Sequence, residues 1–248
     1  EMKRILINRK AMIFNITLDD KGWSNFQPLV KEFMDTLPTW PLEIREWSPE
    51  KPTGFEGMII PAQVNYVGKG ANLYQFGYRF HGSSHVISRY LRNAYLWERI
   101  RVQGGAYGAF CLFDRLSGTL SFVSYRDPNL LKSVEAFDQT ARFLSHSDLD
   151  DGELTKSIIG TIGDIDEYRL PDAKGYISMV RYLSGETDED RQRMREEVLS
   201  TRASDFKAFG QVLETVIPTG LVKVLGSQSA IQESMSDRPG WLNVFKVI

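Results

Sequence analysis

The fold follows from one stretch of sequence, Leu96-Trp-Glu-Arg-Ile-Arg-Val-Gln-Gly-Gly-Ala-Tyr-Gly108. Apolar residues recur at spacings of three and four before and within its first half, which predicts one amphipathic helix over residues 85–102. Arg101 suits the last turn of that helix, where cations meet the negative end of the helix dipole. Gly104 and Gly105 then end the helix, because glycine readily adopts the left-handed backbone that a helix C-terminus commonly needs.

A β-hairpin is predicted directly after the two glycines. Residues 106–113 and 119–125 are rich in β-branched and aromatic side chains, and the residues 114–118 between them include a glycine. This combination is typical of two antiparallel strands joined by a short loop. The pair Asp127-Pro128 then predicts the start of another helix, with the aspartate as N-cap and the proline in the first helical position.

Upstream of this stretch, the sequence predicts strands and helices in alternation. An opening strand is expected over residues 5–7 and 11–18, followed by an amphipathic helix over 23–37 that Pro38 ends. A proline-rich loop is predicted next, then a second strand with Pro61 as an edge or bulge. Gly68-Lys-Gly70 is expected to break that strand before a short extended segment. These three segments cover residues 41–52, 55–67 and 74–80.

Downstream, the sequence is mainly helical. Two apolar faces, at residues 130–144 and 154–165, predict helices that need a sheet to pack against. Two further helices are expected, the first opened by Pro171-Asp172 and the second capped by Thr187-Asp-Glu-Asp190. The charged residues at 191–197 of the second helix are interpreted as a solvent-exposed face. A late strand is predicted at 221–225, and residues 241–248 are too few to assign. This order predicts an α+β fold, a mixed, largely antiparallel sheet with helices packed on one face.

The amino-acid composition argues against several classes of function. The 248 residues contain 30 Lys and Arg against 32 Asp and Glu, a net charge of −2, so no basic field favours nucleic acid or an anionic membrane. No run of eighteen apolar residues occurs, and no apolar core follows Glu1-Met2-Lys3-Arg4, so we expect a soluble chain without a targeting signal of its own. The single cysteine, Cys111, excludes an internal disulfide and is predicted to be a packed side chain.

Arg101 and Tyr107 are the candidate functional residues. One ends the predicted helix and the other begins the strand, with the flexible glycines between them, so both side chains can face one cleft. A guanidinium and a phenol supply hydrogen-bond donors without a metal or a base, which suits holding peptide carbonyl oxygens and stabilising an oxyanion. The alternative is structural: an exposed arginine in a last helical turn and a half-buried strand tyrosine.

The run Arg101-Val-Gln-Gly-Gly-Ala-Tyr-Gly108, followed by Ser124-Tyr-Arg-Asp-Pro-Asn129, resembles the C-terminal half of the pitrilysin/insulinase class of zinc peptidases. The resemblance is closest to the presequence protease subgroup. It implies four related α+β domains in the whole protein, of which residues 1–248 would be a single C-terminal domain that binds no zinc. It also implies that Arg101 and Tyr107 complete the active site by binding substrate, with Tyr107 taking part in catalysis.

The resemblance further implies a zinc metalloendopeptidase that degrades targeting presequences and short unstructured peptides. Zinc would be bound by the N-terminal half of the same protein, and this chain alone would be inactive. The implied location is the mitochondrial matrix or chloroplast stroma in a eukaryote and the cytoplasm in a bacterium. Two alternatives remain open: a catalytically inactive relative, like the core subunits of respiratory complexes, and an unrelated α+β binding module.

Other catalytic motifs are absent or incomplete. His81-Gly-Ser-Ser-His85 has the histidine spacing of the inverted zinc motif His-x-x-Glu-His, but Ser84 stands where the glutamate is needed, and no third ligand is evident. We therefore expect no metal site in this chain. The sequence also lacks a Gly-x-Ser-x-Gly nucleophile motif, and the glycines at 104–108 lack the Gly-Lys-Ser ending of a phosphate-binding loop.

Overall fold

The computed structural model describes residues 2–42, 46, 48 and 54–247. Two compact units make up the chain. One comprises Glu1–Lys51 with Glu167–Thr187, and the other comprises Pro52–Asp166 with Asp188–Ile248. Within the described ranges, no helix has both the length and the apolar character that crossing a membrane requires.

The second unit contains a six-stranded sheet. Its strands are β1 (Glu56–Ile59), β2 (Asn65–Asn72), β3 (Gly108–Asp114), β4 (Thr119–Asp127), β5 (Leu221–Gly226) and β6 (Asn243–Lys246). They lie side by side in the order β3-β4-β2-β5-β1-β6. The pairs β3–β4, β4–β2 and β2–β5 are antiparallel, whereas β5–β1 and β1–β6 are parallel. The sheet is therefore mixed and mainly antiparallel, as the sequence predicted.

Helices account for most of the remaining described residues. They are α1 (Met2–Leu6), α2 (Asp20–Thr36), α3 (Ser83–Tyr90), α4 (Leu131–Asp138), α5 (Thr140–His146), α6 (Asp151–Ile165), α7 (Pro171–Ser184), α8 (Asp188–Leu199), α9 (Ala203–Val216) and α10 (Gln228–Asp237). A π-helical segment, Leu91–Val102, continues α3, and 3₁₀ turns lie at Arg9–Ala11, Tyr74–Phe76 and Ile217–Thr219.

The hydrophobic core lies against one face of the sheet. Side chains alternate along each strand, and Val67, Phe122 and Val224 point toward buried residues of the helices in one continuous cluster. The opposite face is open: Phe110 and Leu112 of β3 are 39% and 53% exposed. The prediction of helices packed on one face is confirmed.

The structure confirms the predicted helix, glycine turn and hairpin. The helix begins at Ser83 rather than His85, and its second half is wound more widely, since the amide of Gln103 donates to the carbonyl oxygen of Glu98 five residues earlier at 3.0 Å. The whole of β3 pairs with residues 119–125 of β4, with Phe110 opposite Val123. The predicted late strand is β5, and the helix predicted to open at Pro171 is α7.

The predicted opening strand is wrong. The chain forms α1 and a 3₁₀ turn instead, and residues 12–19 adopt neither helix nor strand. A strand is stabilised only by hydrogen bonds to a neighbouring strand, whereas apolar residues here pack on a helix, with the rings of Phe14 and Phe33 of α2 6.0 Å apart. The amide of Asn8, which bonds the backbone of Trp40 in both directions, fixes this fold-back.

The predicted strand over residues 55–67 is two strands. Pro61 has no amide hydrogen and interrupts the hydrogen-bond ladder, so β1 runs parallel to β5 whereas β2 returns antiparallel to it. The expected break at Gly68-Lys-Gly70 is also wrong, because these residues pair with β4 on one side and β5 on the other, and β2 continues to Asn72. The predicted loop at residues 41–52 lies largely outside the described residues.

Two smaller predictions also differ from the structure. Residues 74–80 were expected to be extended, but Tyr74–Phe76 form a 3₁₀ turn that Gly77 ends with a φ of 80°. Asp127 was expected to cap a helix that began at Pro128. It instead ends β4, and α4 begins at Leu131. The reason is that the buried carboxylate of Asp127 accepts a hydrogen bond from the amide of Asn129, within the turn that precedes α4.

Cys111 is buried in β3, and this burial raises the pKa of its thiol to about 12. At pH 8 the reactive thiolate is then only about 10⁻⁴ of the total. We expect the folded protein to resist thiol-alkylating reagents for hours at this pH and to react promptly in denaturant. Mass spectrometry of the alkylated protein measures both rates, and rapid modification of the native chain would contradict the packed position of Cys111.

Candidate functional site

Two glycines shape the link between Arg101 and Tyr107, each for a different reason. A Cβ atom at Gly104 would lie 2.5 Å from the carbonyl oxygen of Ile100, so no side chain fits there. Gly105 has a φ of 76°, which an L-residue with a side chain rarely adopts. The amide of Gly105 donates to the carbonyl oxygen of Arg101 at 2.9 Å, which closes the last turn of the helical segment. The backbone at both ends of the link is therefore fixed.

Arg101 lies on the exposed side of this last turn. Its guanidinium carbon is 3.9 Å from the ring centroid of Trp97, one turn earlier. Cation–π contacts of this kind contribute about 0.5–1 kcal/mol at exposed sites, so they orient the guanidinium without satisfying its hydrogen-bond donors. In the described part of the chain, no carboxylate pairs with Arg101. Its donors remain available to a ligand.

Tyr107 lies immediately before β3 and is 67% exposed. Its amide donates to two carbonyl oxygens of β4, those of Tyr125 at 3.1 Å and Arg126 at 3.3 Å. Its ring meets the ring of Tyr125 edge to face at 5.8 Å, and Tyr125 meets Tyr66 of β2 at 5.4 Å. These three tyrosines, here called the tyrosine row, cross the open face of the sheet from β3 to β2.

The turn at residues 127–129 fastens the end of β4 to the glycine link. The fully buried carboxylate of Asp127 accepts hydrogen bonds from the amide of Asn129 at 2.9 Å and the hydroxyl of Ser133 at 2.5 Å. The side-chain amide of Asn129 donates to the carbonyl oxygen of Gly104 at 2.5 Å. Sequence reasoning noticed this run as a motif but gave Asn129 no role. Its side-chain amide joins two segments that are 25 residues apart in the sequence.

Arg126 adopts a left-handed backbone with a φ of 50°, the only non-glycine residue in the described ranges to have a positive φ. The register explains why: Asn65 pairs with Asp127 and Val67 with Ser124, so β4 contains one residue more than β2 in this interval. This β-bulge directs the carbonyl groups of Tyr125 and Arg126 toward the amide of Tyr107. The guanidinium of Arg126 lies 5.8 Å from the ring of Tyr125.

The two histidines of the partial zinc motif have structural contacts. The His81 ring bonds the hydroxyl of Ser83 at 2.8 Å, Ser84 is fully buried, and the His85 ring packs edge-on against Phe80 at 5.4 Å. Among the residues that the structure describes, no group of three His, Cys, Asp or Glu side chains could hold a metal ion. The residues present therefore do not fit a zinc site.

The two candidate residues occupy the positions that the sequence predicted, at a helix end and at a strand start. The structure adds the tyrosine row, the β-bulge and the 127–129 turn around them. That Arg101 and Tyr107 act on one ligand stays a prediction. Together they offer an exposed guanidinium and an exposed phenol on a rigid backbone, an arrangement that can donate hydrogen bonds to carbonyl or carboxylate oxygens.

Comparisons with known proteins identify relatives of this chain. The family model of the PreP C-terminal domain matches residues 55–228. Presequence protease 1, chloroplastic/mitochondrial, of Arabidopsis thaliana is 47% identical over 249 residues, which cover 100% of this chain and 23% of that protein. Protein HypA of Clostridium perfringens is 32% identical over 94% of this chain and 24% of its own length. The chain thus spans about a quarter of these relatives.

Solved structures show the same fold at low identity. Pitrilysin is similar with a TM-score of 0.60 and 10% sequence identity, over 92% of this chain and 25% of that chain. At this identity the likeness concerns the fold alone.

The left-handed backbone of Arg126 is testable by substitution. We expect Arg126→Gly to change the free energy of unfolding by less than about 0.5 kcal/mol, because glycine accepts a positive φ, and Arg126→Val to lower it by about 1–2 kcal/mol. Urea denaturation measures both changes. Lys246→Val, at an exposed strand position with an ordinary φ, is the matched control. Equal stability of the valine and glycine variants would contradict a required bulge.

His85 predicts a pH dependence of stability. Burial lowers the pKa of His85, and the positive charge of Arg115 acts in the same direction. The unfolded chain then binds a proton that the folded chain does not, so the free energy of unfolding should fall as the pH drops below about 6.5. Urea denaturation between pH 7.5 and pH 5 measures this slope. His85→Gln should reduce it, and an unchanged slope in that variant would show that other groups cause it.

Proposed function

Because the chain belongs to the presequence protease C-terminal domain family, we propose that it is the substrate-binding C-terminal part of a zinc metalloendopeptidase. Residues 1–248 form one of several domains of that enzyme, and its substrates are targeting presequences and other short unstructured peptides. Zinc and the general base belong to the N-terminal half of the same protein. This chain by itself does not cleave peptides. The enzyme works in the mitochondrial matrix or chloroplast stroma of a eukaryote, or in the cytoplasm of a bacterium.

The observation that carries the proposal is the pair of exposed donors on a rigid backbone. The phenol of Tyr107 donates a hydrogen bond to the oxygen of the scissile carbonyl, on which negative charge develops as the peptide bond is attacked. Donors held in place before the reaction stabilise this charge without the cost of reorganising solvent. The backbone bonds from Tyr107 to the bulge of β4 supply that rigidity.

Arg101 positions the substrate beside Tyr107. Its planar guanidinium has five donors, and the contact with Trp97 leaves their outward directions free for carbonyl oxygens of an extended peptide. An inactive structural relative of the same fold is the second candidate. A scaffold has no use for an exposed tyrosine and an arginine that pairs with no carboxylate among the described residues, at the two ends of a rigid link, so the first proposal is preferred.

Substitutions in the full-length protein test the proposal. Tyr107→Phe removes one hydroxyl and keeps the ring contact with Tyr125, so we expect kcat to fall by about 10²-fold or more with the melting temperature unchanged. Arg101→Ala removes a substrate contact and should raise KM, with a smaller loss of kcat from poorer positioning. The measurement is steady-state cleavage of a fluorogenic presequence peptide.

Matched controls separate chemistry from folding. Tyr182→Phe and Arg142→Ala change exposed residues of the same types elsewhere in the chain and should keep wild-type kinetics. Wild-type kinetics in both Tyr107→Phe and Arg101→Ala would show that the pair is structural and would leave the inactive relative as the better reading.

A further inference from the structure

Strand β2, in the interior of the sheet, presents two glycines on the open face. Val67 and Lys69 point into the core, where the Lys69 ammonium pairs with Asp138, so Gly68 and Gly70 point the opposite way. Gly68 is flanked by Val123 of β4 and Lys223 of β5. The open face thus lacks side chains along the middle of one strand.

Neither space nor backbone conformation requires these glycines. A Cβ atom at Gly68 would meet its nearest neighbour, the carbonyl oxygen of Lys223, at 3.7 Å, which is ordinary van der Waals contact. A Cβ atom at Gly70 would lie 3.3 Å from the rotatable hydroxyl of Ser121, and neither residue has a positive φ. Glycine inside a strand costs about 0.5–1 kcal/mol relative to alanine and often marks a place where a ligand approaches closely.

The missing side chains create a groove, here called the glycine trench, with a volume of about 570 Å³. Val123 and Leu221 form opposite walls, and Phe76 lies at one end. Both lysines in its lining are already neutralised. The ammonium of Lys223 bonds the carboxylate of Glu56 at 2.6 Å and the carbonyl oxygen of Gly54 at 3.0 Å, and that of Lys69 pairs with Asp138 on the core side. The trench therefore suits an apolar group.

The glycine trench continues the tyrosine row. Val123 and Tyr125 lie two residues apart on the same face of β4, and Gly68 and Tyr66 lie two residues apart on the same face of β2. Two strand residues span about 7 Å. An extended peptide whose carbonyl group is bonded by Tyr107 would thus place a side chain over the trench about two to four residues from that carbonyl.

We propose that the glycine trench is a specificity pocket for a bulky apolar side chain, such as phenylalanine or leucine, of the peptide substrate. This inference rests on the function proposed above. The peptide lies across the open face of the sheet, with one carbonyl group at Tyr107 and this side chain over Gly68 and Gly70, between Val123 of β4 and Leu221 of β5. The missing Cβ atoms let the side chain reach the floor of β2, and its burial there favours substrates that carry it at the right distance.

The test uses the full-length protein and an unstructured alanine- and serine-rich peptide with one cleavage site. Phenylalanine replaces alanine at one position at a time, and kcat/KM is measured for each peptide. We expect the wild type to prefer phenylalanine by about tenfold or more at one position within four residues of the cleaved bond. Gly68→Val fills the trench and should reduce that preference to less than about twofold, mainly by raising KM, while Gly68→Ala should give an intermediate value.

Two further variants keep the result decisive. Asn243→Val adds the same side chain to an exposed position of β6, outside the trench lining, and should keep the wild-type preference. Val123→Thr replaces a wall methyl group by a hydroxyl at equal volume, and should weaken the preference even if Gly68→Val fails to fold. The melting temperature of Gly68→Val should equal or exceed that of the wild type, since valine favours strands.

The possible failures are distinguishable. Absence of a phenylalanine preference in the wild type, or an unchanged preference in folded Gly68→Val and in Val123→Thr, would overturn the trench assignment. If Tyr107→Phe lowers kcat for every peptide in the same assay while the phenylalanine preference fails as described, only the trench assignment is wrong and the proposed function stands. If Tyr107→Phe cleaves every peptide as the wild type does, the proposed function itself is wrong.

Discussion

The hydrogen bond from the Asn129 amide to the carbonyl oxygen of Gly104 joins the end of β4 to the end of the long helical segment. Several other features depend on it. Gly104 and Gly105 form a turn that leaves carbonyl groups without helical partners, and Asn129 satisfies one of them. The buried carboxylate of Asp127 holds Asn129 in place from the other side. Arg101 and Tyr107 start from the two ends of this fastened turn, which fixes their backbones although both side chains are exposed.

The two faces of the sheet contribute differently to stability and to the proposed function. On its closed face, buried side chains such as Val67, Phe122 and Val224 form a continuous core with the helices. On its open face, tyrosines and glycines lie beside exposed apolar side chains such as Leu112, and in the described part of the chain no helix of the core covers them. Substitutions on the open face should therefore change binding with little effect on folding, because few of its atoms lose contacts that the core needs.

Local strain is concentrated beside the candidate site. The positive φ of Arg126 and the wide winding of Leu91–Val102 are both departures from regular structure, and both flank the link between Arg101 and Tyr107. Such departures persist only where the surrounding contacts determine them. Here the hydrogen bonds from Tyr107 to β4 and from Asn129 to Gly104 provide those contacts. The geometry of the site is thus set by neighbours that are remote in sequence.

The sequence by itself determined the elements whose signals are local. Apolar periodicity and paired glycines gave the helix and its end, alternating residues around a short loop gave the hairpin, and the motif containing Arg101 and Tyr107 indicated the family. Tertiary structure decided what depends on partners distant in the chain. Residues 11–18 have strand-like composition but pair with no strand among the residues that the structure describes. Asp127 caps no helix and instead has a buried carboxylate that bonds Ser133. Gly68 and Gly70 remain inside a strand because β4 and β5 pair with it on both sides. Hydrogen-bond partners across 25 or more residues leave no periodic trace in sequence, and for that reason the surroundings of the site emerged only from the folded chain.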